Sequence, residues 1–177
     1  RSLRMDMLAG SDEIDIVGVT VRDLRTRLGD GHDALRLDDV VVKGRFSVRG
    51  GYGRDRVVTS GHCVFRRSVK VLGDAGNDDL QLRNVRVLGR VRLRGGRDDD
   101  RLVVDGSAFV KFGRLWMAGD AGHDDLIVHG NLFDQEVDIR GGRDSDEIHV
   151  ADCGFEDDVD IDAGRDDDEV TVRNSDF

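Results

Sequence analysis

A carboxylate recurs along this chain at nearly constant intervals, each time inside the same short glycine-rich phrase. The clearest copies read GDAGNDDL at 73–80 and GDAGHDDL at 119–126, with GGYGRDRV at 50–57, GGRDDDRL at 95–102, GGRDSDEI at 141–148 and AGRDDDEV at 163–170. Aligned on the shared aspartate, the anchors are Asp12, Asp33, Asp55, Asp78, Asp100, Asp124, Asp146 and Asp168, spaced 21 to 24 residues apart. Carboxylates beside glycines that let the backbone curl its carbonyls inward are a donor set for Ca2+, which takes six to eight oxygens. The same aspartates could instead accept turn N–H groups, as in Asx-turns. Either chemistry needs the anchors brought into one column.

A period in the low twenties is the signature of a solenoid. With the anchor as position zero, apolar residues recur at −9, −7, +2, +4, +7 and +9: Val69, Val71, Leu80, Leu82, Val85 and Val87 in the fourth repeat. Members of each pair are two residues apart, the alternation of a half-buried strand, and many are β-branched. No stretch sustains a helical period. The expected fold is all-β, a parallel β-helix (β-solenoid) of about eight coils of ~22 residues with three short strands per coil. Position +6 holds only Gly18, Asp39, Gly61, Asn84, Gly106, Gly130, Asp152 and Asn174, the residue types that tolerate a left-handed bend. Position +9 runs Val21, Val42, Val64, Val87, then Phe109, Phe133, Phe155 and Phe177, which predicts an aromatic stack in the second half of the rod. His62, at +7, is expected in the interior or the bend. Cys63 and Cys153 fall four coils apart on opposite wall faces, out of disulfide reach, and are read as free thiols.

Charged residues make up 36% of the chain. Scattered apolar residues at that content would mean disorder, but the strict register confines them to a narrow core. A net charge of −10 argues against nucleic-acid and anionic-membrane partners, and no apolar run approaches a membrane span. The register opens within three residues of Arg1 and stops on Phe177 without capping residues. Residues 1–177 are therefore read as a single β-solenoid domain, an excerpt of a longer array.

GDAGNDDL resembles the hemolysin-type (RTX) calcium-binding nonapeptide, G-G-x-G-x-D-x-U-x. Gly73, Gly76, Asp78 and Leu80 match it, as do Gly119, Gly122, Asp124 and Leu126. That family repeats the motif every nine residues and binds calcium on both edges. Here it comes once per coil, so one edge alone is RTX-like, and long bacterial surface β-helices are the closer overall likeness. The resemblance implies a secreted or surface-displayed bacterial protein with Ca2+ held near Asp74, Asp78, Asp79, Asp120, Asp124 and Asp125. The alternative is a metal-free charge ladder. From the fourth coil the turns alternate between Asp74-Ala75 or Asp120-Ala121 and Gly96-Arg97 or Gly142-Arg143, which is expected to set Arg97 beside Asp74 and Asp120, and Arg143 beside Asp120.

Two function classes remain. Parallel β-helices carry polysaccharide lyases and glycoside hydrolases, which need paired carboxylates on one outward wall; Asp138 and Asp160 are the adjacent candidates. No long insertion builds a cleft around them, and the reading from sequence is a non-catalytic structural or binding module. Its partners would be neighbouring repeats of the same chain and a cell-surface polysaccharide or protein. Val58, Val103, Trp116 and Ile127 are expected to point outward as an apolar patch of the kind that marks an interface.

Overall fold

A computed structural model describes residues 1–177. The chain winds as a parallel β-solenoid of eight coils, the first seven contributing one strand to each of three sheets and the eighth to two of them. In the fourth coil the strands are Val69–Ala75, Asp79–Arg83 and Val85–Val87. The first sheet stacks eight strands from Leu3–Asp6 to Val159–Gly164, the second eight from Glu13–Val17 to Glu169–Arg173, and the third seven from Thr20–Val21 to Gly154–Phe155. Every pairing is parallel and joins equivalent positions one coil apart, such as Val69↔Val91 and Leu80↔Leu102. The side-chain period of two decides this register. A one-residue slip would turn the whole apolar set to solvent.

The six apolar positions point inward and merge into one core of 34 buried residues. Burying each large aliphatic side chain contributes roughly 1.5–3 kcal/mol, so the rod is held chiefly along its axis. All eight +6 residues have positive φ, from 47° at Asn174 to 65° at Gly18. One left-handed residue therefore makes the bend between second and third sheets in every coil. The aromatic stack is also present: Phe109–Phe133, Phe133–Phe155 and Phe155–Phe177 centroids are 4.7, 5.2 and 5.1 Å apart. Polar residues in the neighbouring column close their bonds on bend backbone. Asn131 Oδ1 accepts the Ser107 N–H at 2.9 Å, and Asn131 Nδ2 donates to the Val104 carbonyl at 2.8 Å.

The third coil departs from the expected register. It carries one extra residue before its short strand, which turns His62 to solvent and half-exposes Val64, while Cys63 and Phe65 enter the core. Phe65 then pairs with Val42 and Val87 in the inner column and stacks on Phe46 at 4.9 Å. The correction extends to the thiols. Cys63 pairs with Val85, so both cysteines are buried on the same wall, not on opposite ones, and both are free.

The expected apolar patch is not formed. Trp116 lies on the first sheet, whereas Val58, Val103 and Ile127 lie on the second. Val103 is only 3% exposed, and Gln81 beside it is covered as well. On a parallel sheet, outward residues at strand spacing shield one another, and long neighbouring side chains cover the small ones.

Candidate functional site

The turn between first and second sheets gathers the anchor aspartates into one column. From the second coil on, each turn places positive φ at the residues four and two before its anchor: Asp74 (83°) and Gly76 (114°) in coil four, Gly96 (137°) and Asp98 (73°) in coil five, Asp120 (92°) and Gly122 (126°) in coil six. The two turn types seen in the sequence are thus one backbone conformation in which glycine and aspartate exchange places. Aspartate tolerates the left-handed region better than most residues, which explains why Asp98, Asp144 and Asp166 stand where the motif has glycine.

Inside this turn the anchors point away from water. Asp33, Asp55, Asp78, Asp100, Asp124 and Asp146 are at most 3% exposed. In each, Oδ1 accepts the backbone N–H of the preceding anchor: Asp55 N–H to Asp78 at 2.7 Å, Asp78 N–H to Asp100 at 2.8 Å, Asp100 N–H to Asp124 at 2.8 Å and Asp124 N–H to Asp146 at 2.9 Å. The second oxygen, Oδ2, is buried without a hydrogen-bond partner in all six. In five of them it lies against a glycine five residues earlier, whereas Asp33 has Leu28 at that position. A Cβ on Gly73 would collide with Asp78 Oδ2 and come within 2.7 Å of the Gly95 carbonyl oxygen of the next coil. Gly50 stands in the same relation to Asp55 Oδ2 and the Gly73 carbonyl, and Gly141 to Asp146 Oδ2 and the Ala163 carbonyl. The glycine keeps open a narrow space walled by one carboxylate oxygen and one carbonyl oxygen.

Burial sets the electrostatics. Loss of hydration, opposed by the donated N–H and reinforced by neighbouring carboxylates, pushes Asp55, Asp78 and Asp124 up to about 7, Asp100 to about 9 and Asp146 to about 6. The largest rise falls at mid-column, where the carboxyls of Asp78 and Asp124 flank Asp100 on both sides. Interacting carboxyls this close titrate as a set.

The six residues singled out from sequence therefore divide. Asp78 and Asp124 belong to the buried column. Asp74, Asp79, Asp120 and Asp125 lie on its rim, each against a guanidinium: Asp74 with Arg49 at 2.7 Å, Asp79 with Arg56 at 3.3 Å, Asp125 with Arg101 at 2.9 Å, and Asp120 with Arg94 through two nitrogens. The expected partners, Arg97 and Arg143, are displaced by register. Arg97 pairs with Ala75 and Ala121, and Arg143 with Ala121. The arginines that do neutralise Asp74 and Asp120 come from the outer face of the first sheet, a turn earlier in the chain. Asp55, Asp100 and Asp146 were in the anchor alignment, and their glycines at −5 were the signal that they share the buried geometry.

No three histidine, cysteine or acidic side chains converge on one point, so a cation in this column would draw most of its oxygens from backbone carbonyls. Asp138 and Asp160 stack on adjacent strands of the first sheet, with Asp138 held by Arg140 at 2.8 Å. Comparison of the chain with protein-family models, with curated proteins and with solved structures yields no match.

Proposed function

We propose that this chain is a non-catalytic structural and binding segment of a secreted or surface-displayed bacterial protein, and that its aspartate column takes up Ca2+ with weak affinity. The observation that carries this reading is the file of six buried, partnerless Oδ2 atoms, five of them beside a glycine. A buried polar atom without a partner costs free energy. Calcium accepts such carboxylate and carbonyl oxygens together, and in its absence a proton on Oδ2 removes the same charge. The residues that would hold the ion are Asp55, Asp78, Asp100, Asp124 and Asp146. Of the rim acids, Asp74, Asp79, Asp120 and Asp125 are already neutralised by arginine. The extracellular placement follows from the turn's resemblance to secreted calcium-binding repeats.

Isothermal titration at neutral pH, run in two buffers of different ionisation enthalpy, tests this. Calcium entering protonated carboxyls releases protons, so the observed heat should change with the buffer, and ~1–10 mM Ca2+ should raise the melting temperature. At pH 6 a chelator should leave the rod folded, since the apolar core is intact without metal. Absence of both binding heat and thermal shift would remove calcium from the reading and leave a proton-neutralised scaffold.

A further inference from the structure

The net charge of −10 conceals a strong segregation on the outer face of the first sheet. One outward column runs Arg4, Arg25, Ser47, Lys70, Arg92, Trp116, Asp138, Asp160 in register from coil one to coil eight. The column two residues on begins Asp6, Arg27, Arg49, Leu72, Arg94 and ends Arg140, Asp162. The face is basic through coil five, balanced in coil seven by the Asp138–Arg140 pair and acidic in coil eight. On the basic part Arg4, Arg49 and Arg94 are engaged with Asp6, Asp74 and Asp120. Arg25, Arg27, Arg45, Lys70, Arg90 and Arg92 make no ion pair with any carboxylate, and all six are exposed.

This array does not stabilise the rod. Stacked cations one strand apart repel by under 1 kcal/mol in bulk water and about 3 kcal/mol at an effective dielectric of 20. It is also shaped. A groove of about 440 Å³ runs between Arg25, Arg27, Arg45, Ser47 and Lys70. Further along the same face a hollow of about 240 Å³ is walled by Arg90, Arg92, Arg114 and Trp116. Trp116 is half-buried at the end of the basic column, with the Arg92 guanidinium 4.3 Å above its ring.

We propose that the outer face of the first sheet in coils two to five binds a linear acidic polysaccharide laid along the rod axis. Its carboxylates or sulfates would be met by Arg25, Arg27, Arg45, Lys70, Arg90 and Arg92, with Trp116 at the end of the track. The match is one of chemistry and repeat. Cations recur at the coil spacing, which the stacked phenylalanines of coils five to eight measure as 4.7–5.2 Å, and a chain of pyranose rings advances by close to that spacing per ring. The phosphates of a B-form strand recur at about 3.4 Å along the axis and fall out of step. Single-stranded nucleic acids are held by successive aromatic platforms, and this face offers one indole, already covered by Arg92. Free cations run out beyond coil five, and the acidic pair Asp160 and Asp162 in coil eight ends the track by repulsion. This face lies apart from the aspartate column, and its binding does not depend on calcium.

The test uses the whole chain in chelator with four probes: heparin as the sulfated chain, polygalacturonate as the carboxylated one, dextran as the neutral one and oligothymidylate as the nucleic acid. Three cations are removed in the variant Arg25→Gln/Lys70→Gln/Arg92→Gln. The control Arg97→Gln/Arg143→Gln/Arg165→Gln removes the same charge from unpaired, exposed arginines on the turn edge. All six substitutions are on the surface, and circular dichroism of both variants confirms folding. The first variant should lose about tenfold or more in affinity for heparin or polygalacturonate, and its log–log salt dependence should flatten by roughly two to three charges. The control should change by less than about twofold, and dextran should not bind. Any one of four results would overturn the proposal. The two variants could lose affinity equally, or neither acidic polysaccharide could bind at ~50 mM salt. Oligothymidylate could bind more tightly than both, or the first variant could abolish only self-association of the protein, which would assign the face to a second copy.

Discussion

Asp78 and Asp79 are adjacent in the chain and chemically identical, yet the fold gives them opposite circumstances. Asp78 is buried, accepts a backbone N–H through Oδ1, leaves Oδ2 unpartnered and is pushed up to about 7. Asp79 is on the rim, where it accepts from Gln81 at 2.6 Å and faces Arg56. Asp124 and Asp125 repeat the contrast two coils on. The difference comes from the strand alternation that begins at Asp79: one residue earlier the chain is still in the turn, whose curled backbone directs the anchor inward. A charge ladder and a cation column are therefore not competing descriptions of one set of acids. The rim acids form the first with arginine, and the anchors supply the buried, unpartnered oxygens on which the proposed second one rests.

The pH dependence of stability should separate the two sets most strongly. The folded pKa values of the five anchors from Asp55 to Asp146 are raised above the unfolded value, so their contribution is fully present below about pH 4. It is lost as pH rises through the window of about 6 to 9 set by Asp146, Asp55, Asp78, Asp124 and Asp100. In chelator, urea unfolding should become easier by several kcal/mol between pH 5 and pH 9, and Ca2+ should reverse much of that loss. A stability that is flat or rises over this range would show that the anchors are ionised at no cost.

Steric tests come next. Gly73→Val should destabilise by about 3 kcal/mol or more, because the side chain collides with Asp78 Oδ2 and crowds the Gly95 carbonyl, which is backbone of the next coil. Ala75→Val, on the outside of the same turn, should stay within about 0.5 kcal/mol. Equal denaturation midpoints for the two variants would mean that the cradle is not tight.

Replacing single carboxyls should then split the column from the rim. Asp100→Asn keeps an oxygen for the Asp78 N–H and removes the ionisable group, so at pH 9 in chelator it should be more stable than the parent by about 1–3 kcal/mol. It should also gain less from calcium. Asp125→Asn loses only an exposed pair with Arg101 and should change stability by under about 1 kcal/mol. If thermal melts show Asp100→Asn destabilised at pH 9, Oδ2 is doing something other than carrying an unwanted charge.

The smallest effect belongs to a histidine on the opposite edge. His129 reaches Asp105 at 3.0 Å and Asp152 at 3.2 Å, and these carboxylates raise its pKa. Its contribution is present below the unfolded value near 6.5 and fades as pH rises through the folded one. In an NMR titration, Asp105→Asn should bring the His129 midpoint down; no movement would mean the contact is not populated in solution.

Much of this architecture can be read directly from residue order. The six-position apolar register, the eight Gly, Asn and Asp residues at +6 and the phenylalanines at +9 each state a local rule that repetition makes unambiguous. Where one coil breaks the repeat, the rule fails. A single extra residue in coil three sends His62 out and Phe65 in, and alignment on the anchor alone has no means of locating that residue on one side of the bend or the other. The candidate site was legible as a column of aspartates but not as two populations, because Asp78 and Asp79 both look like turn acids in one dimension.

Sequence alone determined the period, the parallel stacking and the identity of the anchors, since these follow from side-chain alternation and backbone tolerance within one coil. Tertiary structure decided which guanidinium meets which carboxylate, which carboxyl oxygens lose their water, and that ten or so scattered arginines and lysines become one basic face. These depend on distances between coils, where residues some 22 positions apart are brought within about 5 Å. At that separation charge, desolvation and register act together, and they are properties of the stack of coils that no single coil contains.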